Sequence, residues 1–419
     1  MSRPPALNVA ELRERARRRL PKGIFEFVAR GTEDDLAVRN LRRAFELVSL
    51  RPRVLVDVSA RSQETEIFGK RSSMPLAVSP TGAAGLIWYE GEIELARAAA
   101  KAGIPFTLST ASITSMEKVA EQAGGRLWFQ LYMWPDQRMS LELIQRVAAA
   151  GYEALIVTVD TPVTPNREYN RRNGFQLPFR FNRRNLADIL RHPRWALGVM
   201  GRYLLASGMP QFENFPEELR RSLLSAPSPS RGLPKTDALT WEDFRRLREL
   251  WKGPLLIKGV LRPDDAETAA RCGADGVVVS NHGGRNLDAS VSPLQALPEI
   301  VAAVGSRLTV ALDGGITRGS AVVKALALGA KLVFAGRAPL WGVASDGEAG
   351  ATDALRLLRE ETDRVMGYSG CRGLEDIGPD LVRLERGFLP EGRWRPAAAQ
   401  AGDGVATLGA LPAAAGPLP

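Results

Sequence analysis

Short apolar runs recur along the chain, each closed by small or polar residues and followed by a stretch whose apolar positions return every three to four residues. Eight such runs stand out: Leu76 to Ser79, Phe106 to Ser109, Trp128 to Tyr132, Ala154 to Asp160, Leu255 to Lys258, Gly276 to Ser280, Thr309 to Asp313 and Leu332 to Gly336. Helical stretches between them include Glu90 to Ala102, Ser115 to Ala123, Leu141 to Ala150, Trp241 to Trp251, Pro263 to Cys272, Leu294 to Val304 and Ser320 to Leu328. Gly103, Gly151, Gly273 and Gly329 close four of these and suit the left-handed position just past a helix end. Strands alternating with helices predict parallel βαβ units, and eight units close a (β/α)8 TIM barrel of the α/β class. A doubly wound open sheet is the competing layout.

Two segments fall outside this repeat. Residues 175–238, between the fourth strand and its helix, are too long for a βα loop and predict an insertion on the rim where such barrels carry their chemistry. Residues 396–419 are rich in Ala, Pro and Gly and predict a disordered tail, which leaves residues 1–395 as one barrel domain that includes the insertion.

Composition changes this picture little: 45% hydrophobic and 25% charged residues describe a globular chain able to bury a large core. Cys272 and Cys371 have no metal-type spacing, so a reducing compartment without disulfides or structural zinc is expected. The N-terminus lacks the apolar core of a signal peptide and no run is long enough to span a bilayer, which predicts a cytoplasmic protein, at most peripheral on the inner face of the cell membrane. A net charge of +9 raises the question of nucleic acid, but no helix-turn-helix, zinc-finger or RRM-like pattern accompanies it. The excess is local. Residues 175–234 hold nine arginines against one aspartate and three glutamates, and from Phe179 to Leu205 the arginines interleave with Trp, Leu and Met. A segment that is basic and apolar yet too polar to span fits an interfacial helix on anionic lipid; a rim helix packed on the barrel or on a neighbouring subunit is the alternative.

The strand ends carry the candidate chemistry: Ser79-Pro80-Thr81-Gly82, Ser109-Thr110, Gln130 and Tyr132, Thr158 and Asp160, Lys258, Ser280-Asn281-His282, Asp313-Gly314-Gly315 and Gly336-Arg337. Polar groups at such depth cost free energy unless they face a ligand or each other, so a polar cofactor is the economical explanation. The last two strand ends lie where barrels commonly bind phosphate, with glycines for close approach and Arg337 as a bidentate fork. His282 is flanked by glycines that leave access to it and can serve as a base near neutral pH, with Asp160 a candidate to orient it. His192, the other histidine, falls in the insertion and reads as structural. No metal-ligating cluster is visible.

With these residues in place, the stretch SNHGGRNLD from Ser280 to Asp288, together with LPKGIFEFVARGTEDD, SPTGAAG, LSTAS, WFQLY, VTVDTP, KGV, LDGGI and ALALGA followed by GR, resembles the FMN-dependent 2-hydroxy-acid dehydrogenase/oxidase family from Leu12 to Leu384. The resemblance implies FMN as cofactor and oxidation of an L-2-hydroxy acid, lactate- or mandelate-like, to the 2-oxo acid. It implies that His282 is the base, Asp160 its partner, Arg285 and Arg167 the holders of the substrate carboxylate, and Tyr132 a hydrogen-bonding partner of the substrate. Lys258 would stand beside flavin N1 and the C2 carbonyl, with Ser109, Gln130, Thr158 and Ser280 on the isoalloxazine and Pro80, Thr81 and Gly82 lining the ring. Asp313, Gly315, Gly336, Arg337 and Arg318 would hold the ribityl chain and phosphate. A homotetramer is implied as well, and membrane-associated members carry their membrane segment in the loop that is basic here.

Three positions depart from the family pattern. Phe27 stands where a tyrosine usually donates to the substrate carboxylate, Thr317 where the first phosphate-loop arginine is expected, and Ala111 where short-acid oxidases carry tryptophan. A small residue at 111 predicts a wide pocket. Gly82 resembles the dehydrogenase-type members, which points to quinone or another carrier rather than oxygen as electron acceptor. The missing tyrosine is also shared by the branch that modifies a ribosomally made peptide during mycofactocin maturation, which supplies an alternative substrate. A flavin-binding sensor or scaffold is the remaining alternative, in which intact His282 and Arg285 would serve no purpose.

Overall fold

The computed structural model describes residues 4–134, 136–175, 179, 182–217, 220 and 237–388. The expected tail at 396–419 lies outside them. Three helices precede the barrel: α1 (Val9–Arg19), α2 (Lys22–Ala29) and α3 (Leu36–Glu46). A short strand β1 (Val48–Leu50) and the hairpin β2 (Thr65–Ile67) and β3 (Lys70–Ser72) follow. The barrel then runs β4 (Leu76–Val78), α4 (Gly91–Ala102), β5 (Phe106–Ser109), α5 (Met116–Ala123), β6 (Leu127–Leu131), α6 (Gln137–Ala149) and β7 (Ala154–Thr158). After β7 come the short helices α7 (Glu168–Arg172), α8 (Arg183–Leu190), α9 (Pro193–Trp195) and α10 (Arg202–Ala206). The repeat resumes with α11 (Trp241–Leu250), β8 (Leu255–Val260), α12 (Pro263–Arg271), β9 (Gly276–Val279), α13 (Pro293–Val304), β10 (Thr309–Asp313), α14 (Gly319–Ala327), β11 (Leu332–Ala335), α15 (Arg337–Ser369) and β12 (Val382–Leu384).

Strands β4 to β11 pair in parallel and close, with β11 returning to β4, so the barrel holds and the open doubly wound sheet is excluded. All eight strands coincide with the eight apolar runs to within a residue or two. The four helix-closing glycines adopt positive φ, between 67° at Gly103 and 100° at Gly329. The N-terminal helices, the β1–β12 pair and the β2–β3 hairpin carry no barrel-type repeat, and the sequence pattern did not announce them.

Alternation along the strands explains where the polar groups go. Ala77, Trp128, Ile156, Leu256, Val278, Ala311 and Phe334 face the barrel interior as one apolar cluster, closed from below by Ile67 and Phe68 of the hairpin. Two positions further along each strand, the same inward direction is taken by Ser79, Gln130, Thr158, Lys258, Ser280, Asp313 and Gly336. Ser109 occupies the equivalent place past Thr107. The barrel thus has an apolar floor and a polar upper layer. Burying Trp128, which is fully enclosed, contributes on the order of 1.5–3 kcal/mol. Floors of this kind supply the rigidity on which the polar layer stands.

Candidate active site

The upper layer is buried, so its groups must satisfy one another. Asp313 sits at its centre. Oδ1 accepts from Ser79 Oγ at 2.9 Å, and Oδ2 accepts from Ser280 Oγ at 2.7 Å and Lys258 Nζ at 2.9 Å. Burial alone would push the Asp313 carboxyl up, but the Lys258 charge and these donors hold it down. Burial likewise disfavours the Lys258 ammonium, and Asp313 and Asp160 outweigh it, so Lys258 stays charged. Across the barrel, Ser109 Oγ donates to Gln130 Oε1 at 2.9 Å.

Beside this layer stands His282. Its Nδ1 lies 2.9 Å from Asp160 Oδ1, and its Nε2 lies 3.5 Å from the Tyr132 hydroxyl. The backbone here is special: His282 has φ 59°, followed by Gly283 at 66° and Gly284 at 72°. A left-handed histidine costs of order 1–3 kcal/mol, and it is held by the Ser280 hydroxyl, which accepts from the His282 amide at 3.0 Å. Burial lowers the imidazole pKa below its ordinary value, with Asp160 opposing, so the ring is neutral and able to accept a proton near pH 7. Burial would raise Asp160, but the His282 charge and hydrogen bond, helped by Lys258, bring it down. Burial and then the Asp160 charge push Tyr132 upward, which keeps its hydroxyl as a donor.

Asp160 reaches the histidine because β8 gives way. The ladder shifts register between Lys258 and Val260, and Gly259 there has φ 108°. A Cβ at Gly259 would fall 2.5 Å from Asp160 Cβ. The Asn286 amide then donates to the Asp160 carbonyl at 2.8 Å. Gly259, in the KGV stretch, and Asn286 were not assigned a role from sequence, since the contacts that define them reach back to Asp160, far away along the chain.

Three guanidiniums converge on the same mouth. Arg167 donates from Nε and Nη2 to the Arg285 carbonyl at 3.2 and 3.1 Å. Arg285 donates to the carbonyls of Phe27 and Arg30, with its charge 4.9 Å from the centre of the Phe27 ring. Arg337 donates to the carbonyls of Val28 at 3.0 Å and Gly283 at 2.8 Å. Among the described residues none of the three forms an ion pair. Burial and then the neighbouring Arg285 charge pull Arg167 down to about 9 and Arg337 to about 10, so all remain cationic at neutral pH. Positive charge enclosed this way without a counter-ion is suited to anionic ligands.

The residues fit FMN. Gln130 Nε2 and Thr158 Oγ1 are buried at adjacent strand ends with no partner, which matches a flat ring edged with carbonyl and N–H groups. Gly336 lies against Ser79 and Thr81, and Gly315, at φ 78°, is pressed on the Phe45 ring, so β10 and β11 are each followed by a half-buried glycine. Arg318, expected at the phosphate, instead pairs with Glu361 at 3.2 Å on the outer surface, and Thr317 beside it is exposed. That leaves Arg337 as the buried cation at this end. Gly82 and Ala111 meet: a Cβ at Gly82 would lie 3.3 Å from Ala111 Cβ, so two small residues face each other beside the polar layer.

The insertion grips the barrel with one side. Trp195 Nε1 donates to the Leu86 carbonyl at 2.7 Å, the Glu90 amide donates to the Tyr203 hydroxyl at 3.0 Å, and buried Asn214 receives the Met116 amide at 2.8 Å. Its other side exposes Leu186, Leu190, Leu197, Leu204 and Leu205. The expected single interfacial helix is broken at His192, which precedes Pro193 and has φ −117°, ψ 56°. Proline disfavours helical geometry in the residue before it, so α9 starts afresh. No helix among the described residues is long and apolar enough to cross a membrane.

Residues 16–384 match the family described as FMN-dependent dehydrogenase. The chain is 41% identical over 379 residues to (S)-mandelate dehydrogenase from Pseudomonas putida, covering 90% of this chain and 94% of that protein. It is 40% identical to L-lactate oxidase from Nostoc sp., covering 90% and 98%. A crystal structure described as monotopic membrane protein (S)-mandelate dehydrogenase superposes with a TM-score of 0.84 at 39% identity, covering 91% of this chain and all of that one.

Proposed function

The chain belongs to the FMN-dependent dehydrogenase family, and from that premise we propose that it oxidises an L-2-hydroxy acid of the lactate or mandelate kind to the 2-oxo acid. The observation that carries the reading is the His282–Asp160 pair, 2.9 Å apart, beside Arg167 and Arg285, which form no ion pair among the described residues. Arg285 and Arg167 hold the substrate carboxylate. Tyr132 donates to the substrate oxygen, and His282 Nε2 takes a proton while Asp160 stabilises the imidazolium that forms. Lys258 would supply a fixed positive charge to the flavin where negative charge develops on reduction, and Arg337 would hold the phosphate. When bound, FMN supplies the two-electron acceptor.

The relatives favour this small-acid reading over peptide modification. The small residues Gly82 and Ala111 favour a bulky or aromatic side chain on the acid, and a carrier such as quinone as the onward acceptor. Exposed leucines interleaved with arginines on the insertion support docking on an anionic membrane surface, on the inner face of the cell membrane, where a quinone is within reach. We assign the assembly as a homotetramer on the family resemblance.

The test is anaerobic bleaching of the bound flavin by a panel of 2-hydroxy acids. Mandelate and lactate are expected to bleach it, mandelate at the lower concentration. A yellow protein that no 2-hydroxy acid bleaches would overturn the reading.

A further inference from the structure

The loop from Ser280 to Asp288 closes on a second segment, and the far end of that closure takes no part in the chemistry assigned above. Asp288 is 3% exposed. Its Oδ1 accepts the Ala37 amide at 3.0 Å and its Oδ2 accepts the Asp34 amide at 3.1 Å. Helix α3 lacks a cap of its own. Asp35 holds the cap position at φ 59°, with its carboxylate turned back to the Gly31 amide at 2.6 Å and to Arg30 Nε at 3.0 Å. A carboxylate 251 residues further along the chain therefore closes the amide end of α3, where negative charge is also favoured by the helix dipole.

From the last turn of α2 towards α3 the chain presents carbonyls to the site. Those of Phe27 and Arg30 receive Arg285, and that of Gly31 receives the Tyr169 hydroxyl at 3.0 Å. The backbone of this segment lies hard against the His282 turn. A Cβ at Gly31 would collide with the Gly284 carbonyl, and a Cβ at Gly284 would come within 2.7 Å of the Val38 nitrogen. Residues 27–37 thus hang between two points three positions apart, Arg285 at one end and Asp288 at the other.

We infer that Asp288 is a positioning residue for the substrate carboxylate: by pinning Asp34 and Ala37 it keeps the Phe27 and Arg30 carbonyls where they aim the Arg285 guanidinium. The inference rests on the reading of Arg285 as the carboxylate holder. Loss of the Asp288 carboxylate frees the segment, lets Arg285 turn, and weakens anion binding, while His282, tied to Asp160, keeps its place.

The experiment uses the FMN-loaded enzyme and oxalate, an inert carboxylate whose binding is read from the flavin spectrum, alongside KM, kcat and thermal melting. Asp288→Ala and Asp288→Asn are expected to raise the oxalate Kd and the KM on the order of 10- to 100-fold, with kcat falling less, since displacement of a binding group by about 1 Å is felt on that scale. Asp288→Asn, which keeps the shape and one acceptor oxygen, should show the smaller change and carries the test if the alanine variant does not fold. In an Arg285→Lys background, Asp288→Asn should add little further loss of oxalate affinity, because the group it positions is already gone. Oxalate Kd and KM unchanged in a folded, yellow Asp288→Asn enzyme, or a full additional loss on top of Arg285→Lys, would overturn the inference alone, whatever happens to melting. Oxalate affinity untouched by Arg285→Lys would instead overturn the reading beneath it, and the inference with it.

Discussion

The strand-end layer and the rim insertion treat polar and apolar groups in opposite ways. At the strand ends, polar and charged residues are buried: Lys258, Asp313, Ser280 and Ser79 lie in one network, and His282 is locked to Asp160. On the insertion, leucines are exposed while Trp195, Val199 and Tyr203 anchor the other side to the barrel. The difference follows from what each region needs. A buried polar network is costly unless complete, so it tolerates one geometry and preorganises a reaction. An exposed apolar surface contributes little to the fold in water, and it is this surface on which the membrane docking proposed above rests. On the proposed function, chemistry and membrane docking are therefore built from different materials on the same rim.

The comparison can be broken from either side. The largest effect is expected at the histidine: His282→Ala should keep FMN but slow flavin reduction roughly 10²–10⁴-fold, measured by anaerobic stopped flow. Unchanged reduction would remove the base from the mechanism. Next comes Asp160→Asn. His282 must be neutral to accept a proton, and burial holds its pKa below the ordinary imidazole value while Asp160 raises it. The kcat/KM profile of the native enzyme should thus be level above that range and fall on its acid side. Removing the Asp160 charge lowers the pKa further, so the acid limb should move to lower pH as the plateau falls by roughly 10². A limb that moves upward would mean the titration belongs to another group.

A smaller change is expected at Phe27, whose ring lies under Arg285 and edge-on to Phe175 at 5.3 Å. Phe27→Tyr would restore a donor to the carboxylate and should lower the KM for lactate roughly ten-fold, the scale of one hydrogen bond to a charged group. A higher KM would show that the aromatic face is what the substrate uses. The smallest effect on chemistry is expected on the insertion. Replacing Leu186, Leu190, Leu197, Leu204 and Leu205 by serine should leave flavin reduction and melting within error while abolishing flotation with anionic liposomes. Flotation that survives would end the membrane assignment, and reduction that collapses would show the two regions to be one machine.

How much of this was legible depended on the range of the interaction. The barrel strands announce themselves because a strand buried on both faces is a short apolar run whatever it packs against. The polar layer was legible too, since Ser79, Lys258, Ser280 and Asp313 each close such a run and Gln130 and Thr158 stand two residues before the end of theirs. Asp288, Asn286 and Gly259 were not, although two of them stand inside the motif that drew attention first. Nothing within ten residues of Asp288 tells that it caps α3. The Arg318 pairing was not legible for the same reason: adjacent to the proposed phosphate loop in sequence, it meets Glu361 from α15.

Local periodicity and residue chemistry by themselves determined the barrel, the ring of polar strand ends and the candidate base, because β-strand alternation, helix closure by glycine and the proton affinity of imidazole are properties of a few consecutive residues. Only the tertiary structure decided which charges face each other. Whether Asp160 reaches His282, whether Arg285 is held by Phe27 and Arg30, and which side of the insertion meets water all turn on segments far apart in sequence. Their approach is set by backbone packing at Gly259, Gly31 and Gly284, where a single Cβ would close the gap.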